Sequence, residues 1–401
     1  MIHRCRECGT VVSAGFKPFC GDCGGMVDVD YDLDGVQLAQ SEDPYVRFAS
    51  LLPVERPNGM LPPSAYTPLV HATRLGRRLG LDRLYLKDET RLPTRTTKDR
   101  MAAVALAYLH ERGVREFCAS STGNSSTAFG RAICAFPDMH LYLFTAEQFV
   151  PRVQHAEHAQ VTHFGMRGAS FVEAAEFSGV YAKRHGLAAE SGFFNPGRRE
   201  GLKLAFLEAS EQAPGPIDWY VQAVSSAMGV YGAFKGAREL LALNHISRLP
   251  RLLCVQQESC APMVRAWSEG SQTIRPEHRV AMPSGIAEAI LRGDPTKAYP
   301  HIRRIVTESG GDFVAVSDSQ IRAARSLAED QEGLSPCFSA SAALAGLIAL
   351  CQKHTISSDA LAVVNLTGGE RPVEPTQSNV IWIEKTSSGW SAPRPTATAA
   401  A

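Results

Sequence analysis

The most informative feature of the sequence is the run Pro93-Thr94-Arg95-Thr96-Thr97-Lys98-Asp99-Arg100. It predicts a polar loop that carries one lysine to the start of a helix over residues 99–112, ended by Gly113. Burial and a helix N-terminus both disfavour an added positive charge, so we expect the Lys98 amine to tend toward its neutral, nucleophilic form. Such an amine can hold a carbonyl cofactor as a Schiff base, although a cluster of caps and ion pairs would give the same short motif.

Strand and helix patterns alternate on both sides of this loop. Strands are predicted at residues 84–86, 117–120, 141–146, 219–224, 252–256, 313–316 and 361–365. Helices are predicted at residues 125–135, 171–184, 198–211, 231–243, 284–292, 321–331 and 340–351. Repeated strand–helix units predict parallel sheets covered by helices on both faces, and 401 residues allow two or three domains.

Three polar loops follow predicted strands, at the sheet edge where α/β proteins bind ligands. Ser121-Thr122-Gly123-Asn124-Ser125-Ser126 offers hydroxyls and backbone amides for a carboxylate or phosphate, although an elaborate helix cap would look the same. Ser225-Ser226-Ala227-Met228-Gly229-Val230-Tyr231-Gly232 has a weaker phosphate-loop pattern, because two of its positions lack the preferred glycine. In Leu366-Thr367-Gly368-Gly369-Glu370 the glycines allow close approach to a flat ligand, although alone it is an ordinary turn.

Four cysteines near the start form two pairs with the spacing of a zinc ribbon. Cys5 and Cys8 are followed by glycine, as are Cys20 and Cys23. Four thiolates complete a tetrahedron around zinc and leave no open coordination position, so such a metal is structural. A reduced or stapled cysteine cluster without metal is the alternative.

Composition excludes several classes of partner. Lys plus Arg and Asp plus Glu balance at 41 each, so no long-range field favours nucleic acid or an anionic membrane. The longest apolar run, residues 340–351, is too short to span a bilayer, and the first residues lack the apolar core of a signal peptide. Ten cysteines in a chain of this kind suggest reduced thiols, and we expect a cytoplasmic protein.

In this order, the motifs resemble those of the threonine synthase family of pyridoxal-phosphate enzymes. Lys87-Asp88-Glu89 and the stretch 93–100 are similar to the family's K-D-E and P-T-G-S-F-K-D-R, and residues 121–124 match S-T-G-N. Residues 195–201 are similar to N-P-x-R-x-E-G, and residues 284–295 to A-I-R-x-G-x-P. Glu332-Gly333 with residues 339–343 fits E-G followed by S-A-A-x-x-A-G.

The resemblance implies an α/β protein with the two-domain parallel-sheet architecture of fold type II, the tryptophan-synthase-β-like fold. We expect a zinc-ribbon-like segment at residues 1–30, a large cofactor domain at residues 31–95 and 205–385, and a small domain at residues 96–204. The remaining residues, 386–401, are rich in Ser, Thr, Pro and Ala and are predicted to be a disordered tail.

The resemblance also implies a role for each site residue. Lys98 would hold pyridoxal 5′-phosphate and later shuttle protons, Asn124 would contact the cofactor's 3′-hydroxyl, and Thr367 would bond to its pyridine nitrogen. The cofactor phosphate would lie against Ser225, Ser226, Ala227, Met228 and Gly229. The substrate would meet Arg95, Thr96, Ser121, Thr122, Ser125 and Arg198, the last of these at a substrate phosphate.

A hydroxyl at the pyridine nitrogen leaves that nitrogen largely unprotonated, which favours elimination and replacement chemistry. The expected reaction converts O-phospho-homoserine to threonine and phosphate, in a homodimer. Two features differ from the family: Arg95 replaces glycine, and the loop at 225–229 lacks the usual glycine- and asparagine-rich run. Residues 220–229 and 198–201 are also similar to cysteate synthase, so β-replacement on O-phosphoserine by sulfite or another nucleophile stays open. A non-catalytic zinc-ribbon relative is the third alternative.

Overall fold

The computed structural model describes residues 1–13, 15–55, 66–372 and 379–394. Its strands are β1 Ile2–Cys5, β2 Val27–Asp30, β3 Leu69–His71, β4 Leu84–Asp88, β5 Glu116–Ser120, β6 His140–Ala146, β7 Val161–Met166, β8 Ala188–Ala189, β9 Trp219–Ala223, β10 Arg251–Gln257, β11 Asp312–Val316, β12 Ala362–Leu366, β13 Ile381–Ile383, β14 Lys385–Thr386 and β15 Gly389–Trp390. Its α-helices are α1 Pro44–Arg47, α2 Thr73–Leu79, α3 Lys98–Glu111, α4 Asn124–Ala132, α5 Phe171–His185, α6 Pro196–Gln212, α7 Met228–Ala242, α8 Pro262–Ser268, α9 Tyr299–Ser309, α10 Asp318–Glu332 and α11 Phe338–Gln352.

The larger sheet has six strands in the order β11-β10-β9-β12-β4-β3. All are parallel except β3, which runs antiparallel to β4. Val363 of β12 packs on the side of α6, α7 and α9, and Val364 on the side of α2, α10 and α11. Burial of both faces explains why most residues of these strands are apolar. The carboxyl ends of β4, β9 and β12 lie at one edge, so the loops that follow them meet there.

The second sheet has five parallel strands in the order β13-β7-β6-β5-β8. One face packs against α5 through aromatic side chains, with Phe144 and Phe177 in edge contact at 5.4 Å between ring centroids. The other face packs against α3, α4 and α6, where Phe117 meets Phe129 at 5.9 Å. The helices α3 and α6 therefore lie between the two sheets and share one core with both.

Buried ion pairs fasten α3 and α6 to the larger sheet. Lys87 Nζ donates to Glu208 at 2.7 Å, and Arg100 donates to Glu89 at 2.8 Å and to Glu208 at 2.5 Å. The side chains of all four residues are fully buried. Removing one partner from such a network costs about 3–5 kcal/mol, because the remaining charge is left without compensation. The charges that flank Lys98 in sequence thus fix the start of α3 relative to β4.

The N-terminal residues form a small module in which β1 pairs antiparallel with β2. This module packs against α6 and α7. Arg199 Nη2 donates to the carbonyl oxygen of Val27 at 2.7 Å and to Asp28 at 3.0 Å, and the hydroxyl of Tyr231 donates to Asp28 at 3.0 Å. The helices α6 and α7 therefore hold the cysteine-bearing segment against the body of the protein.

The helix predicted at residues 284–292 is wrong. Only a short 3₁₀ turn, Glu288–Ile290, forms there. Gly285 has φ of +147°, outside the helical range, and a Cβ atom at this position would lie 1.9 Å from Nε2 of Gln257. The Gln257 side chain instead accepts a hydrogen bond from the backbone N–H of Ala287 at 2.8 Å. The amphipathic spacing of this stretch reflects a loop packed against β10.

The disordered tail predicted from residue 386 is wrong as far as residue 394. The strands β14 and β15 pair antiparallel, and Trp390 packs against Phe177. The hydroxyl of Tyr181 donates to the carbonyl oxygen of Pro393 at 3.1 Å. Residues 395–401 lie outside the described residues. The strand β13 also pairs with β7 of the five-stranded sheet, although residues 205–385 were expected in the large domain. The other domain boundaries stay predictions.

Within the described ranges, no helix combines the length and apolar character needed to cross a bilayer.

Candidate active site

Lys98 is the first residue of α3 and is half-buried. The loop before it lies alongside the loop after β12. The backbone N–H of Thr97 donates to the carbonyl oxygen of Thr367 at 2.9 Å, and the N–H of Gly369 donates to the carbonyl oxygen of Arg95 at 2.9 Å. These bonds place the predicted lysine loop and the predicted Thr367 loop side by side at the carboxyl edge of the larger sheet.

The lysine amine is held in a form suited to nucleophilic chemistry. Burial, and then the positive charge of Arg198, lower the pKa of Lys98 from 10.5 to about 8. Among the residues that the structure describes, no hydrogen bond or ion pair reaches its Nζ atom. An uncompensated lysine in this position stabilises the fold less than a neutral side chain would, which is typical of a functional amine.

The loop after β9 presents an open helix N-terminus. Ala227 has φ of +61°, and α7 begins at the next residue without any side-chain cap. The first amides of α7 can therefore bind an anion. Gly229 allows the loop to lie close to the sheet, since a Cβ atom there would lie 2.3 Å from Nε2 of Gln222. Ser225 is half-buried and Ser226 is buried beside these amides. Alanine thus occupies a left-handed position that favours glycine.

The loop after β5 has the shape that its sequence predicts. Gly123 has φ of +125°, and a Cβ atom there would lie 2.9 Å from Cβ of Arg152. The hydroxyl oxygen of Ser121 accepts hydrogen bonds from the backbone N–H groups of Gly123 and Ser126, both at 3.2 Å. Thr122 and the first residue of α4, Asn124, are half-buried. Ser121 therefore shapes the loop, and within the described residues no acceptor takes its hydroxyl proton.

Arg198 lies at the start of α6 and is almost fully buried. Its Nε and Nη2 atoms both donate to Glu190, which also accepts hydrogen bonds from Asn195 at 2.9 Å and from the N–H of Gly192 at 3.1 Å. Its Nη1 atom donates to the hydroxyl of Ser125 at 3.3 Å. The predicted phosphate anchor is therefore present near Lys98, but its charge is locally neutralised by a carboxylate.

Arg95 is exposed and has φ of +56°, a left-handed conformation that glycine adopts most readily. Its guanidinium group covers Gly369, where a Cβ atom would lie 2.8 Å from Nη2. In the described part of the chain, Arg95 makes no ion pair with a carboxylate. Thr96 is buried, and its hydroxyl oxygen accepts a hydrogen bond from the N–H of Lys98 at 3.4 Å.

Two residues of the site were missed by the sequence analysis. Glu190 holds Arg198, and Arg371 donates from Nη2 to Oδ1 of Asn124 at 2.7 Å. Arg371 follows the Thr367 loop and Glu190 precedes Asn195, so both stand close to recognised motifs. Neither belongs to a motif itself, and only the fold brings each one to its partner.

Contacts link five of the predicted site residues to Lys98 or to its loop, namely Arg95, Thr96, Thr367, Arg198 and Ser125. Backbone bonds join its loop to Thr367, its pKa responds to Arg198, and Arg198 contacts Ser125. A lysine with a lowered pKa, an open helix N-terminus and a threonine hydroxyl beside close-packed glycines suit a phosphorylated carbonyl cofactor. The assignment of individual residues to cofactor or substrate stays a prediction.

The four predicted metal ligands cluster in the N-terminal module. The Sγ atoms of Cys5, Cys8, Cys20 and Cys23 all lie within 4.8 Å of one another. The Sγ–Sγ distances are 3.3 Å between Cys8 and Cys23, 3.4 Å between Cys5 and Cys23, and 3.8 Å between Cys8 and Cys20. Sulfurs around tetrahedral zinc, at about 2.3 Å from the metal, lie about 3.8 Å apart. A Cβ atom at Gly25 would lie 2.9 Å from Sγ of Cys5, which explains this glycine. The cluster is compatible with a zinc ribbon.

Known proteins are similar to this chain in sequence and in fold. Threonine synthase of Methanosarcina acetivorans is 30% identical over 390 residues, covering 92% of this chain and 91% of that protein. Cysteate synthase of Methanothrix thermoacetophila is 26% identical over 378 residues, covering 91% and 90%. The structure of maize serine racemase superposes with a TM-score of 0.64 at 19% identity, covering 86% of this chain and 94% of that one, and it bears on the fold alone.

The predicted fold type II architecture and the predicted resemblance to threonine and cysteate synthases are confirmed by these similarities. The family model described as "Pyridoxal-phosphate dependent enzyme" matches residues 61–368, more than half of the chain. The chain therefore belongs to the pyridoxal-phosphate dependent enzyme family.

Proposed function

We propose that this enzyme eliminates phosphate from a phosphorylated amino acid and replaces it, with Lys98 as the residue that holds the cofactor and moves protons. The observation that carries the proposal is the Lys98 amine, which has a lowered pKa and no partner among the described side chains. At pH 8 about half of such amines are neutral, against well under 1% for an ordinary lysine. Lys98 can therefore accept a proton from a substrate carbon and return it.

Pyridoxal phosphate, when bound, supplies an aldehyde that joins the substrate amine and a ring that stabilises negative charge at the α-carbon. The protein's residues orient these groups. We propose that the amides at the start of α7, with Ser225, Ser226 and Gly229, bind the cofactor phosphate. Thr367 would face the ring nitrogen as a neutral hydroxyl, and Asn124 would face the ring hydroxyl. A neutral partner at the ring nitrogen favours elimination and replacement.

For the substrate, we propose O-phospho-homoserine. Its conversion takes up one water and releases one phosphate to give threonine, so atoms and charges balance. The hydroxyls of Ser121, Thr122 and Ser125 would bind the substrate carboxylate beside the amides of α4. The similarity to threonine synthase over more than nine-tenths of both chains supports this choice. Arg198 would offer its Nη1 edge to the substrate phosphate.

Arg95 favours a second candidate, β-replacement on O-phosphoserine by sulfite to give cysteate and phosphate. This exposed guanidinium stands directly before Thr96 and lacks a carboxylate partner in the described residues, so it can attract an anionic nucleophile. Cysteate synthases are similar to this chain at 24–27% identity. We keep it second because the threonine synthase relative is more similar.

We further propose that Cys5, Cys8, Cys20 and Cys23 bind a structural zinc ion. Four thiolates leave no position for a substrate, and a module this small gains much of its stability from metal. The resemblance to the family also supports a homodimer, and the ten cysteines, taken as reduced thiols, support a cytoplasmic location.

Two measurements test the proposal. The purified protein should show a visible absorption band that borohydride removes and that Lys98→Ala lacks; a colourless wild-type protein that gains no band with added pyridoxal phosphate would contradict it. Phosphate release should then be assayed with O-phosphoserine and O-phospho-homoserine, and acetate release with O-acetylserine and O-acetylhomoserine, each with and without sulfite. Release from O-phospho-homoserine without sulfite selects the first reaction, and sulfite-dependent release from O-phosphoserine selects the second. If no substrate releases its leaving group under any of these conditions, both proposed reactions are contradicted.

A further inference from the structure

The side chain of Asn124 is held from outside by an arginine. Nη2 of Arg371 donates to Oδ1 of Asn124 at 2.7 Å, and the same nitrogen lies 3.5 Å from the carbonyl oxygen of Arg152. Asn124 is the first residue of α4, so its backbone cannot turn freely. The contact joins the loop after β5 of the five-stranded sheet to the segment that follows β12.

An arginine has only donors, whereas an asparagine side chain has one acceptor oxygen and one donor nitrogen. The oxygen of Asn124 must therefore face Arg371, and the Nδ2 group must face away from it. In the described part of the chain, no acceptor receives a hydrogen bond from this Nδ2. The half-buried amide is thus left as a directed donor without a protein partner.

The segment that carries Arg371 is fixed by hydrogen bonds on both sides of that residue. The carbonyl oxygen of Thr367 accepts the N–H of Thr97 at 2.9 Å, and that of Pro372 accepts Nε2 of Gln154 at 3.1 Å. Arg371 lies between these two attachments. Because its segment is held in place, Arg371 can hold the Asn124 side chain in a fixed orientation.

We propose that Arg371 is a positioning residue that fixes Asn124 as a hydrogen-bond donor toward the ring hydroxyl oxygen of pyridoxal phosphate. The inference rests on the proposed contact between Asn124 and the cofactor. It adds that Arg371 determines which partner donates the hydrogen bond in that contact. An unheld asparagine could present its oxygen instead, and two acceptor oxygens would then face each other. Arg371 acts through Asn124 and not on the reacting atoms.

The test compares the affinity for pyridoxal phosphate with that for its analogue lacking the ring hydroxyl. Arg371→Met and Asn124→Ala should each weaken pyridoxal phosphate about fivefold, the size of one ordinary hydrogen bond. The double variant should be no weaker than either single variant, because both changes remove the same bond. The wild-type protein and all three variants should bind the analogue equally.

Arg325→Met is the matched control. Nη1 of Arg325 donates to Glu370 at 3.0 Å, next to Arg371 in the chain, without touching Asn124. It should leave both affinities within about twofold. If Arg371→Met weakens both ligands alike, weakens neither, or adds its effect to that of Asn124→Ala, the inference is overturned.

Asn124→Asp provides a second route should Arg371→Met fail to fold. Aspartate keeps the acceptor that Arg371 needs but loses the donor toward the cofactor. We expect its thermal midpoint to equal or exceed that of the wild type while pyridoxal phosphate binding falls about fivefold. Wild-type affinity in Asn124→Asp would refute the inference. A wild-type protein that binds no pyridoxal phosphate would instead refute the proposed function, so the two failures differ.

Discussion

Replacing Lys98 by methionine should stabilise the cofactor-free protein at neutral pH. Burial and Arg198 lower the pKa of Lys98 from 10.5 to about 8, so the folded state holds its proton less tightly than the unfolded state does. Where the unfolded state binds more protons, stability rises with pH. The wild-type protein is therefore penalised at pH 7 and recovers as pH rises from about 8 to 10.5.

The size of this penalty follows from the two pKa values. A pKa lowered from 10.5 to about 8 corresponds to a penalty of roughly 3 kcal/mol at pH 7, where lysine is protonated in both states. At pH 9.5 the folded amine is already neutral, and the penalty falls to about half of its value at pH 7. Lys98→Met should therefore gain about 3 kcal/mol in the free energy of unfolding at pH 7 and about half of that at pH 9.5.

Urea unfolding of the cofactor-free proteins at the two pH values measures this gain. Lys353→Met serves as the control, because Lys353 is exposed and caps the end of α11. It should change stability by less than about 0.5 kcal/mol at either pH. A Lys98→Met variant that is no more stable than wild type at pH 7 would refute the reasoning. So would a gain that stays constant with pH, since that would come from packing and not from charge.

Three further predictions concern the surroundings of Lys98 and the N-terminal module. Glu190→Gln should lower the free energy of unfolding by about 3 kcal/mol, because it leaves the buried guanidinium of Arg198 uncompensated. Glu308→Gln, in an exposed ion pair, should lower it by less than about 1 kcal/mol, and equal effects in urea unfolding would contradict the buried pairing. Arg95→Gly should raise the free energy of unfolding by about 1 kcal/mol, because glycine adopts the left-handed conformation without strain. It should also raise KM for an anionic nucleophile and leave cofactor binding unchanged; an unchanged KM in steady-state kinetics would rule out a role in binding the nucleophile. The purified protein should contain about one zinc per chain by elemental analysis, and Cys20→Ser should lose it; full zinc content in that variant would exclude the four-thiolate site.

The course of the main chain was largely predictable from the sequence. The strands β9, β10 and β12 are short apolar runs between turn residues, and the structure places them within one or two residues of the prediction. Their pattern is strong because both faces are buried. Lys98 was predicted just before a helix and is its first residue. Local sequence suffices where the physical cause is local.

The errors arose where distant contacts decide the structure. Residues 284–292 have an amphipathic spacing, but the side chain of Gln257 and the conformation of Gly285 hold them as a loop. The composition of residues 386–394 predicts disorder, but Trp390 packs against an aromatic cluster on the five-stranded sheet. Glu190 and Arg371 could not be recognised, because the role of each depends on a partner brought close by the fold.

The arrangement of charges separates the scaffold of this site from its specificity. The cations Lys87, Arg100 and Arg198 are buried and paired with carboxylates, so changing any one of them would cost about 3–5 kcal/mol of stability. Arg95 is exposed, lacks such a partner among the described residues, and sits in a conformation that glycine relieves. A change at Arg95 can therefore alter which anion reaches Lys98 without disturbing the core. If a single residue of this chain selects between the two proposed reactions, the electrostatics favour Arg95 over Arg198 as that residue.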